Sequence, residues 1–312
     1  SARGAGARCK GGKQMKYRAG FVSILGRPNA GKSTLLNALL GTKLAIVAPR
    51  PQTTRTSIQG VLTIPGAQMV FVDTPGIHES STLLNKRMMD QVRASSEADV
   101  VLFLVDALLP FRKEDAQAVD VVKKTGSPAI AIFNKVDKLR EKPKLLALIE
   151  QYQGLHNFDA YLPVSALKGD GVELLRKEIL ARLPVGPALY KKDHLTDQPE
   201  RFLAAETLRE KVLHLTHQEV PHAVAVMIEQ WEDTPTLLRI AATIYVERPG
   251  QKAILIGAGG ASLKKIGTLA RREMEQRAGK KVFLQTFVKV RPNWRQDPEF
   301  LAAIDWRSMA GE

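Results

Sequence analysis

The sequence predicts an α/β domain with a mixed, mostly parallel sheet, followed by a smaller α+β domain. Apolar, strand-like runs alternate with helical patterns between residues 18 and 184, the order that produces a sheet covered by helices on both faces. Residues 185–200 are rich in proline and polar residues and are predicted to be a linker. Residues 201–292 then show a helix, two strands, a glycine loop, a helix and a strand.

The composition predicts a soluble, cytoplasmic protein. Hydrophobic residues make up 44% of the 312 residues, and Cys9 is the single cysteine, so neither an intrachain disulfide nor a cysteine metal site can form. No apolar run has the roughly 18 residues of a membrane span. Residues 1–17 are predicted to be a disordered basic tail, with residues 1–14 resembling a tag and Met15 a candidate start; residues 293–312 form a C-terminal tail.

The net charge of +14 is concentrated in two segments. Residues 1–20 contain six Lys or Arg and no acid, and residues 251–291 contain ten Lys or Arg against two Glu. Localised positive charge is typical of proteins that bind nucleic acid or an anionic membrane surface. A solvated helix face is the alternative interpretation.

A glycine-bounded loop between an apolar run and a helical pattern organises the first domain. The loop, Gly-Arg-Pro-Asn-Ala-Gly-Lys-Ser, has the composition of a P-loop. Its backbone N–H groups and the helix N-terminus can bind phosphate oxygens, its lysine can reach the β- and γ-phosphates, and its serine hydroxyl can ligate Mg²⁺. The predicted phosphate-binding residues are Gly26, Arg27, Pro28, Asn29, Ala30, Gly31, Lys32, Ser33 and Thr34.

Two further segments are predicted to complete the phosphate and magnesium site. Residues 43–60 contain prolines and threonines and are predicted to be a loop, from which Thr54, or alternatively Thr53, closes onto Mg²⁺. The buried strand 68–72 runs into Asp-Thr-Pro-Gly, where open α/β sheets place their ligand chemistry. These residues are Asp73, Thr74, Pro75 and Gly76; the predicted metal ligands are Ser33, Thr54 and Asp73, and the Gly76 N–H is predicted to contact the γ-phosphate.

The last two segments of the first domain are predicted to bind the base. The Asp137 carboxylate can accept hydrogen bonds from the ring N–H and the exocyclic amine of guanine, whereas adenine would leave it unpaired. Hydrogen bonds to a charged group contribute about 1.5 to 3 kcal/mol each, so guanine is preferred by a factor of at least about a hundred. The predicted residues are Asn134, Lys135, Val136 and Asp137, then Ser165, Ala166 and Leu167.

The ordered series of these segments resembles the translation-factor-related GTPases. The finer match, Gly-Arg-Pro-Asn-Ala-Gly-Lys-Ser with Pro-Gln-Thr-Thr-Arg and Asp-Thr-Pro-Gly-Ile-His, resembles the Era family of bacterial GTPases over residues 15–294. The resemblance implies a monomeric switch that uses GTP, GDP and Mg²⁺. It also implies binding to small-subunit ribosomal RNA near its 3′ end, a role in 30S assembly, and peripheral contact with the inner membrane.

Hydrolysis is predicted to be slow. Ras-like proteins place a water-orienting glutamine directly after the Asp-x-x-Gly motif, where this chain has Ile77, and the neighbouring His78 is interpreted as an exposed loop residue. Resemblance to other GTPases with a hydrophobic residue at this position implies that Asn29 helps to hold K⁺, which would replace an arginine finger. The predicted catalytic residues are Lys32, Thr54, Gly76 and Asn29, and Ile77 is counted with the nucleotide-binding residues.

The second domain resembles a type II KH domain, because a Gly-x-x-Gly loop lies between its strands and a basic helix. Periodicity predicts a strand over residues 252–256, whereas the resemblance implies a helix there. A dinucleotide fingerprint is disfavoured because Ser262 occupies the third glycine position, and a small α+β domain with a glycine turn is the other alternative. The predicted RNA-binding residues are Lys252, Ile256, Gly257, Ala258, Gly259, Gly260, Ser262, Lys264, Lys265, Arg271 and Arg272.

Other functions are predicted to be weaker candidates. A membrane-associated signalling switch, whose basic surface binds anionic lipid, is the main alternative. A tRNA-modification GTPase is disfavoured because no cysteine ends the chain and no folate-type domain precedes the P-loop. A small-molecule kinase would bind ATP as well as GTP.

Overall fold

A six-stranded sheet lies at the centre of the first domain. The computed structural model describes residues 16–48, 53–76, 83–84, 88, 97–216 and 220–305. The elements of the first domain are β1 (Arg18–Gly26), α1 (Lys32–Leu40), β2 (Ile58–Ile64), β3 (Ala67–Asp73), β4 (Val100–Asp106), α2 (Lys113–Thr125), β5 (Ala129–Asn134), α3 (Lys142–Gln153), β6 (Ala160–Val164) and α4 (Val172–Arg182). The strand order is β2-β3-β1-β4-β5-β6, with β2 antiparallel and all other pairs parallel, so the predicted fold class is confirmed.

The sheet is buried on both faces, as the apolar sequences of its strands predict. Ile24 and Leu36 belong to one apolar core, and Phe103 and Phe133 belong to the core on the other face. Because β1, β3, β4 and β5 run parallel, their carboxyl ends meet at one edge of the sheet. The P-loop, Asp73 and Asn134 follow or end these strands, and the fold therefore brings the three predicted binding segments together.

The second domain is built on a three-stranded sheet with helices on both faces. Its elements are α5 (Glu200–Leu215), β7 (Ala225–Asp233), β8 (Leu237–Val246), α6 (Pro249–Ile256), α7 (Ala261–Ala278), β9 (Lys281–Val290) and α8 (Pro298–Ala303). The sheet order is β7-β8-β9, antiparallel in the first pair and parallel in the second. Helices α5 and α7 pack on one face of this sheet, and the short α8 packs against part of the other face. Leu208, Ile240, Ile266 and Val288 contribute to its core.

Two predicted elements are wrong. The loop predicted over residues 43–60 ends too late, because β2 begins at Ile58 and pairs with β3 through the tight Pro65-Gly66 turn. The strand predicted over residues 252–256 is part of helix α6. This helix starts at Pro249, and the Gln251 side chain accepts hydrogen bonds from the N–H groups of Glu247 (2.9 Å) and Arg248 (3.0 Å). A five-residue apolar run cannot distinguish a strand from a helix.

The segment between the domains lies along the edge strand β2. Val61 N donates to Leu195 O (2.8 Å), and the side-chain oxygen of Gln68 accepts from the N–H groups of Leu189 (2.7 Å) and Tyr190 (2.8 Å). The Val61 contact satisfies a backbone N–H that the edge strand would otherwise expose, and the contacts of Gln68, which lies on β3, hold the segment in place.

Two further predictions bear on the rest of the chain. The helix predicted over residues 84–97 lies largely outside the described residues. Within the described part of the chain, no helix is both long and apolar enough to cross a membrane.

Candidate functional site

The P-loop has a backbone conformation that requires glycine at both ends. Gly26 has φ 151°, and a Cβ there would lie 2.4 Å from the carbonyl oxygen of Leu104. Gly31 has φ 99°, and a Cβ there would lie 2.4 Å from Asn134 Nδ2. The loop therefore approaches both β4 and the end of β5 too closely for any side chain, which is the physical reason for the glycine spacing.

Lys32 is buried inside the loop at the start of α1. Its Nζ donates to the carbonyl oxygens of Gly26 (3.2 Å) and Arg27 (3.0 Å). Burial lowers the pKa of Lys32 to about 8, and the nearby Asp73 carboxylate opposes this shift. A phosphate that binds in this loop would give the buried ammonium a charged hydrogen-bond acceptor.

The three predicted metal ligands meet in one hydrogen-bonded cluster. The Ser33 and Thr54 hydroxyl oxygens are 2.8 Å apart, and they lie 2.8 Å and 3.1 Å from Asp73 Oδ2. Thr53 instead donates to Ala48 O (3.3 Å), so the geometry favours Thr54 as the ligand.

The environment of Asp73 fits a bound cation. Among the described residues, its Oδ1 atom is buried without a hydrogen-bond partner. Burial raises the pKa of the Asp73 carboxyl, while Lys32, Ser33 and Thr54 partly oppose this shift. One carboxylate with two hydroxyl groups is an all-oxygen donor set of the kind that Mg²⁺ prefers.

Gly76 is explained by close packing rather than by an unusual φ. A Cβ on Gly76 would lie 2.7 Å from both Cα and N of Pro28 in the P-loop. Thr74 Oγ1 donates to Ile24 O (2.8 Å), which fixes the segment against β1. Ile77 and His78 lie outside the described residues.

The base-binding segments are joined to the P-loop and to each other. Asn134 Nδ2 donates to Ala30 O (2.9 Å), and its Oδ1 accepts from Ala166 N (3.0 Å). Ser165 Oγ donates to Asp137 Oδ1 (2.7 Å), which holds the carboxylate that is predicted to bind guanine. One buried amide thus ties together three segments that are far apart in the sequence.

Lys135 lies over this junction with φ 70°. Its Nζ donates to Asn29 O (2.8 Å) and to Asp106 Oδ2 (2.6 Å). Asp106 was not predicted as a site residue, although a carboxylate at the end of the buried strand β4 is a recognisable signal.

A cavity of about 490 Å³ runs from the phosphate end to the base end of the site. The Arg27 side chain turns away from the cavity to Asp115 (3.0 Å). The other described residues that were predicted but do not line it are Gly26, Ala30, Asp73, Thr74, Pro75, Val136, Ser165 and Ala166. Ile46, Val47, Ala48 and Lys138 line it and were missed, since no local pattern marks them. The predicted residues on its wall are Pro28, Asn29, Gly31, Lys32, Ser33, Thr34, Thr53, Thr54, Gly76, Asn134, Lys135, Asp137 and Leu167.

The glycine loop of the second domain connects α6 to α7 and faces open space. Gly257, Gly259 and Gly260 have φ of 71°, 56° and 79°, and a Cβ on Gly259 or Gly260 would meet no atom within 4 Å. Lys264 and Lys265 are exposed on the following helix. Arg271 instead pairs with Glu275 (2.9 Å), so its charge is partly neutralised.

Comparisons with known proteins identify both domains. Residues 21–135 match a family described as "50S ribosome-binding GTPase", and residues 219–295 match "KH domain". The chain is 45% identical to GTPase Era of Syntrophus aciditrophicus (strain SB) and 47% identical to that of Geobacter metallireducens (strain ATCC 53774 / DSM 7210 / GS-15). Each match covers 93% of this chain, and 96% and 98% of the respective relative.

Two solved structures are similar over nearly the whole chain. The crystal structure of Era in complex with MgGDPNP and nucleotides 1506–1542 of 16S ribosomal RNA has a TM-score of 0.90 at 41% identity. The crystal structure of an Aquifex aeolicus Era variant bound to GDP.AlF4⁻ has a TM-score of 0.90 at 42% identity. Each match covers 93% of this chain and 99% of the other.

The fold and the site define a P-loop GTPase with a C-terminal KH domain. At this identity and coverage the family is established. The chain belongs to the GTPase Era family, as its motifs predicted.

Proposed function

We propose that this GTPase binds small-subunit ribosomal RNA near its 3′ end through the KH domain, and that bound nucleotide controls this binding during 30S assembly. The supporting observation concerns the loop between α1 and β2, which carries Thr53 and Thr54 and which we call the threonine loop. This loop contacts the second domain directly. The related Era structure with 16S ribosomal RNA supports the choice of RNA. The protein is proposed to act as a monomer.

The nucleotide is proposed to bind with its phosphates in the P-loop and its guanine against Asp137. Ser33, Thr54 and Asp73 would hold Mg²⁺, which neutralises charge on the phosphates when it is bound. Lys32 would donate to the phosphate oxygens, and the Gly76 N–H would contact the γ-phosphate. With no glutamine after Gly76, water is oriented poorly and hydrolysis is expected to be slow.

The threonine loop is anchored on the second domain on both sides of Thr54. The guanidinium of Arg55 donates to the carbonyl oxygens of Val224 (2.5 Å) and His222 (3.2 Å) and lies 5.4 Å from the centroid of the Trp294 ring. Arg209 of α5 donates to Thr53 O. Release of Thr54 after loss of the γ-phosphate would therefore pull on the KH domain.

Earlier in the same loop, Val47 is held by two side chains of α5. Its N–H donates to Glu210 Oε1 (2.9 Å), and its carbonyl oxygen lies 2.7 Å from His214 Nε2. Val47 also lines the nucleotide cavity. The second domain therefore contacts a loop that would itself contact the bound nucleotide.

The experiment measures binding of the full chain to nucleotides 1506–1542 of 16S ribosomal RNA, with GDPNP and with GDP. The two states are expected to differ in affinity, and Arg55→Met is expected to reduce this difference while GTP binding persists. Arg291→Met is the matched control, because Arg291 also lies over an aromatic ring, that of Phe300 (4.6 Å), but pairs with Asp297 of the second domain. Equal affinity in both nucleotide states would contradict the switch, and no RNA binding would contradict the KH assignment.

We also propose that K⁺ assists hydrolysis beside Asn29. This residue has φ 63°, and its carbonyl oxygen is fixed by Lys135, so the side chain is presented at the cavity wall. Faster hydrolysis in KCl than in NaCl, with the difference lost in Asn29→Ala, is the expected result. Equal rates in the two salts would exclude this role.

The proposed location is the cytoplasm, with peripheral contact at the inner membrane through the basic surface. The concentration of charge in residues 251–291 supports this contact. Co-sedimentation with vesicles that contain anionic lipid, compared with neutral vesicles, tests it. Failure to bind the anionic vesicles would leave RNA as the partner of the basic surface.

A further inference from the structure

Strand β9 exposes two phenylalanines on the face of its sheet that lies away from the helices. Phe283 and Phe287 are 51% and 50% exposed, whereas Val282 and Val288 are buried in the core beneath α5 and α7. Because strand side chains alternate, Lys281, Phe283, Gln285, Phe287 and Lys289 all lie on the outer face. We call these five residues the β9 outer face.

Among the described residues, α8 covers the outer face of the sheet near Tyr245, at the end of β8 away from Phe283. Tyr245 of β8 contacts Phe300 of α8 at 4.9 Å between ring centroids, and Met227 packs into the same apolar cluster. Among the described residues, this cover stops short of Phe283 and Phe287. Their register partners on β8 are Arg239, which is exposed, and Thr243, which is 1% exposed, so the cover ends beside Phe287 and leaves both rings half-exposed.

The charge of this surface indicates the kind of partner. β9 carries lysines near both ends and no acidic residue, whereas Arg239, exposed beside Phe283, has the exposed Glu232 of β7 as its other register partner, so the positive charge comes from Lys281 and Lys289. Aromatic rings within a cationic surface suit single-stranded nucleic acid, since the rings stack on bases and the cations pair with phosphates. An apolar protein partner would gain nothing from the flanking cations.

The spacing of the outer face also suits an extended strand of RNA. Four residues of a β-strand span about 13 Å, so the two rings would stack on bases that are not adjacent in the RNA. Gln285 lies between them, and its exposed amide can donate to and accept from a base edge.

The β9 outer face is continuous with the proposed KH groove. β9 is at the edge of the described sheet, paired with β8. On its inner side, a Cβ at Gly267 of α7 would lie 3.7 Å from Thr286 Oγ1, so α7 packs closely on this strand. RNA bound on the helix side of the sheet would therefore have to pass this edge strand to reach Phe283 and Phe287.

We propose that the β9 outer face is a second contact for single-stranded RNA, in which Phe283 and Phe287 stack on unpaired bases and Lys281 and Lys289 bind phosphates. The inference rests on the proposed RNA-binding function and extends it to a surface outside the glycine loop.

The test uses the full chain with fluorescently labelled nucleotides 1506–1542 of 16S ribosomal RNA and a series of truncated forms. Phe283→Leu/Phe287→Leu keeps apolar side chains but removes stacking, and it is expected to weaken binding of the longest RNA by about tenfold or more. Phe283→Trp/Phe287→Trp is expected to restore binding. The loss should disappear for truncated RNAs that cannot reach β9, and GTP hydrolysis should be unchanged.

Phe21→Leu is the control, because Phe21 is 37% exposed on β1 of the first domain. Wild-type affinity of the double leucine variant for every RNA would overturn the proposal, as would an equal loss for all lengths. If the double leucine variant and the wild type differed in sedimentation coefficient in the absence of RNA, the β9 outer face would instead be an interface between two copies of the chain.

A second variant separates this proposal from the function on which it rests. Gly259→Asp/Gly260→Asp places two carboxylates in the glycine loop and is expected to weaken binding of all RNA lengths. If this variant binds the long RNA as tightly as the wild type, the KH-loop function fails while the β9 outer face can still stand.

Discussion

The nucleotide site and the proposed RNA surface, which is the glycine loop with Lys264 and Lys265, are built in opposite ways. At the nucleotide site, Lys32, Asp73 and Asn134 are 6%, 0% and 2% exposed, and each is joined to another binding segment or to the P-loop backbone. On the RNA surface, Lys264 and Lys265 are exposed beside a glycine loop that faces open space. In the buried network each side chain makes contacts that no neighbour can replace, whereas the exposed charges attract phosphates together. Single substitutions should therefore have large effects at the nucleotide site and smaller effects at the RNA surface.

The largest effect is expected from Asp137→Asn. The amide would lose the paired acceptors for guanine and would suit the carbonyl of xanthine. GTP affinity should fall by at least about a hundredfold, with a gain for xanthosine triphosphate, because two hydrogen bonds to a charged group are lost. Equilibrium binding of the two nucleotides checks this prediction.

Ser165→Ala is the graded comparison for that experiment. It removes the hydroxyl that holds Asp137 at 2.7 Å but leaves the carboxylate, so only a several-fold loss of GTP affinity is expected. If Ser165→Ala cost as much as Asp137→Asn, the carboxylate would not be the main determinant of guanine recognition.

The next effect concerns the paired threonines of the loop. Thr54→Ala removes a hydroxyl that contacts both Ser33 and Asp73, and hydrolysis should slow by at least about tenfold. Thr53→Ala removes a hydroxyl that donates to the Ala48 carbonyl rather than to the metal-ligand cluster, and it should change the rate by less than about threefold. Single-turnover hydrolysis with a titration of Mg²⁺ measures both, and the reverse order would make Thr53 the ligand.

These two sites differed in how far the sequence could predict them. The nucleotide site was predictable because the P-loop, Asp73 and Asn134 follow or end buried strands, and parallel strands bring their ends together whatever the sequence between them. The direction of the Arg27 side chain was not predictable, because its pairing with Asp115 depends on where α2 packs. Ile46 and Val47 were missed for the same reason: α5 of the second domain positions their loop.

In the second domain, the order of helices and strands along the chain predicted the structure better than the residue pattern within each element did. Residues 252–256 have an apolar run that fits either a strand or a helix, and only the Pro249 start and the Gln251 cap select the helix. The sequence predicted the strand that is now β9, but which face would stay uncovered depends on where α8 packs.

A smaller effect is expected on the RNA surface itself. Lys264→Ala/Lys265→Ala removes two exposed charges, and RNA affinity at low salt should fall by about tenfold. The slope of the logarithm of affinity against the logarithm of salt concentration should decrease by about two. Lys144→Ala, on α3 of the first domain, is the matched control for loss of an exposed charge. An unchanged salt slope would place the RNA phosphates elsewhere.

The smallest effect tests the contact that joins the two regions. Glu210 of α5 accepts from Val47 N (2.9 Å), Lys43 Nζ (2.7 Å) and Lys211 Nζ (2.7 Å). Burial raises the pKa of the Glu210 carboxyl, but the two lysines and the Val47 N–H outweigh it and leave the pKa below its usual 4.5. A carboxyl with a lower pKa in the folded protein stabilises the fold above pH 4.5, and this contribution is lost as the pH falls through the folded pKa.

Glu210→Gln should therefore reduce the free energy of unfolding by about 1 to 2 kcal/mol at neutral pH, since the neutral amide binds the lysines less well. The difference from the wild type should shrink as the pH falls from 4.5 through the lower folded pKa of Glu210, below which both side chains are neutral. Urea unfolding at several pH values measures it, with Glu141→Gln as the control because its pair with Lys144 is exposed and should contribute little. A loss that persists at low pH would mean that Glu210 joins the domains by its shape and hydrogen bonds rather than by its charge.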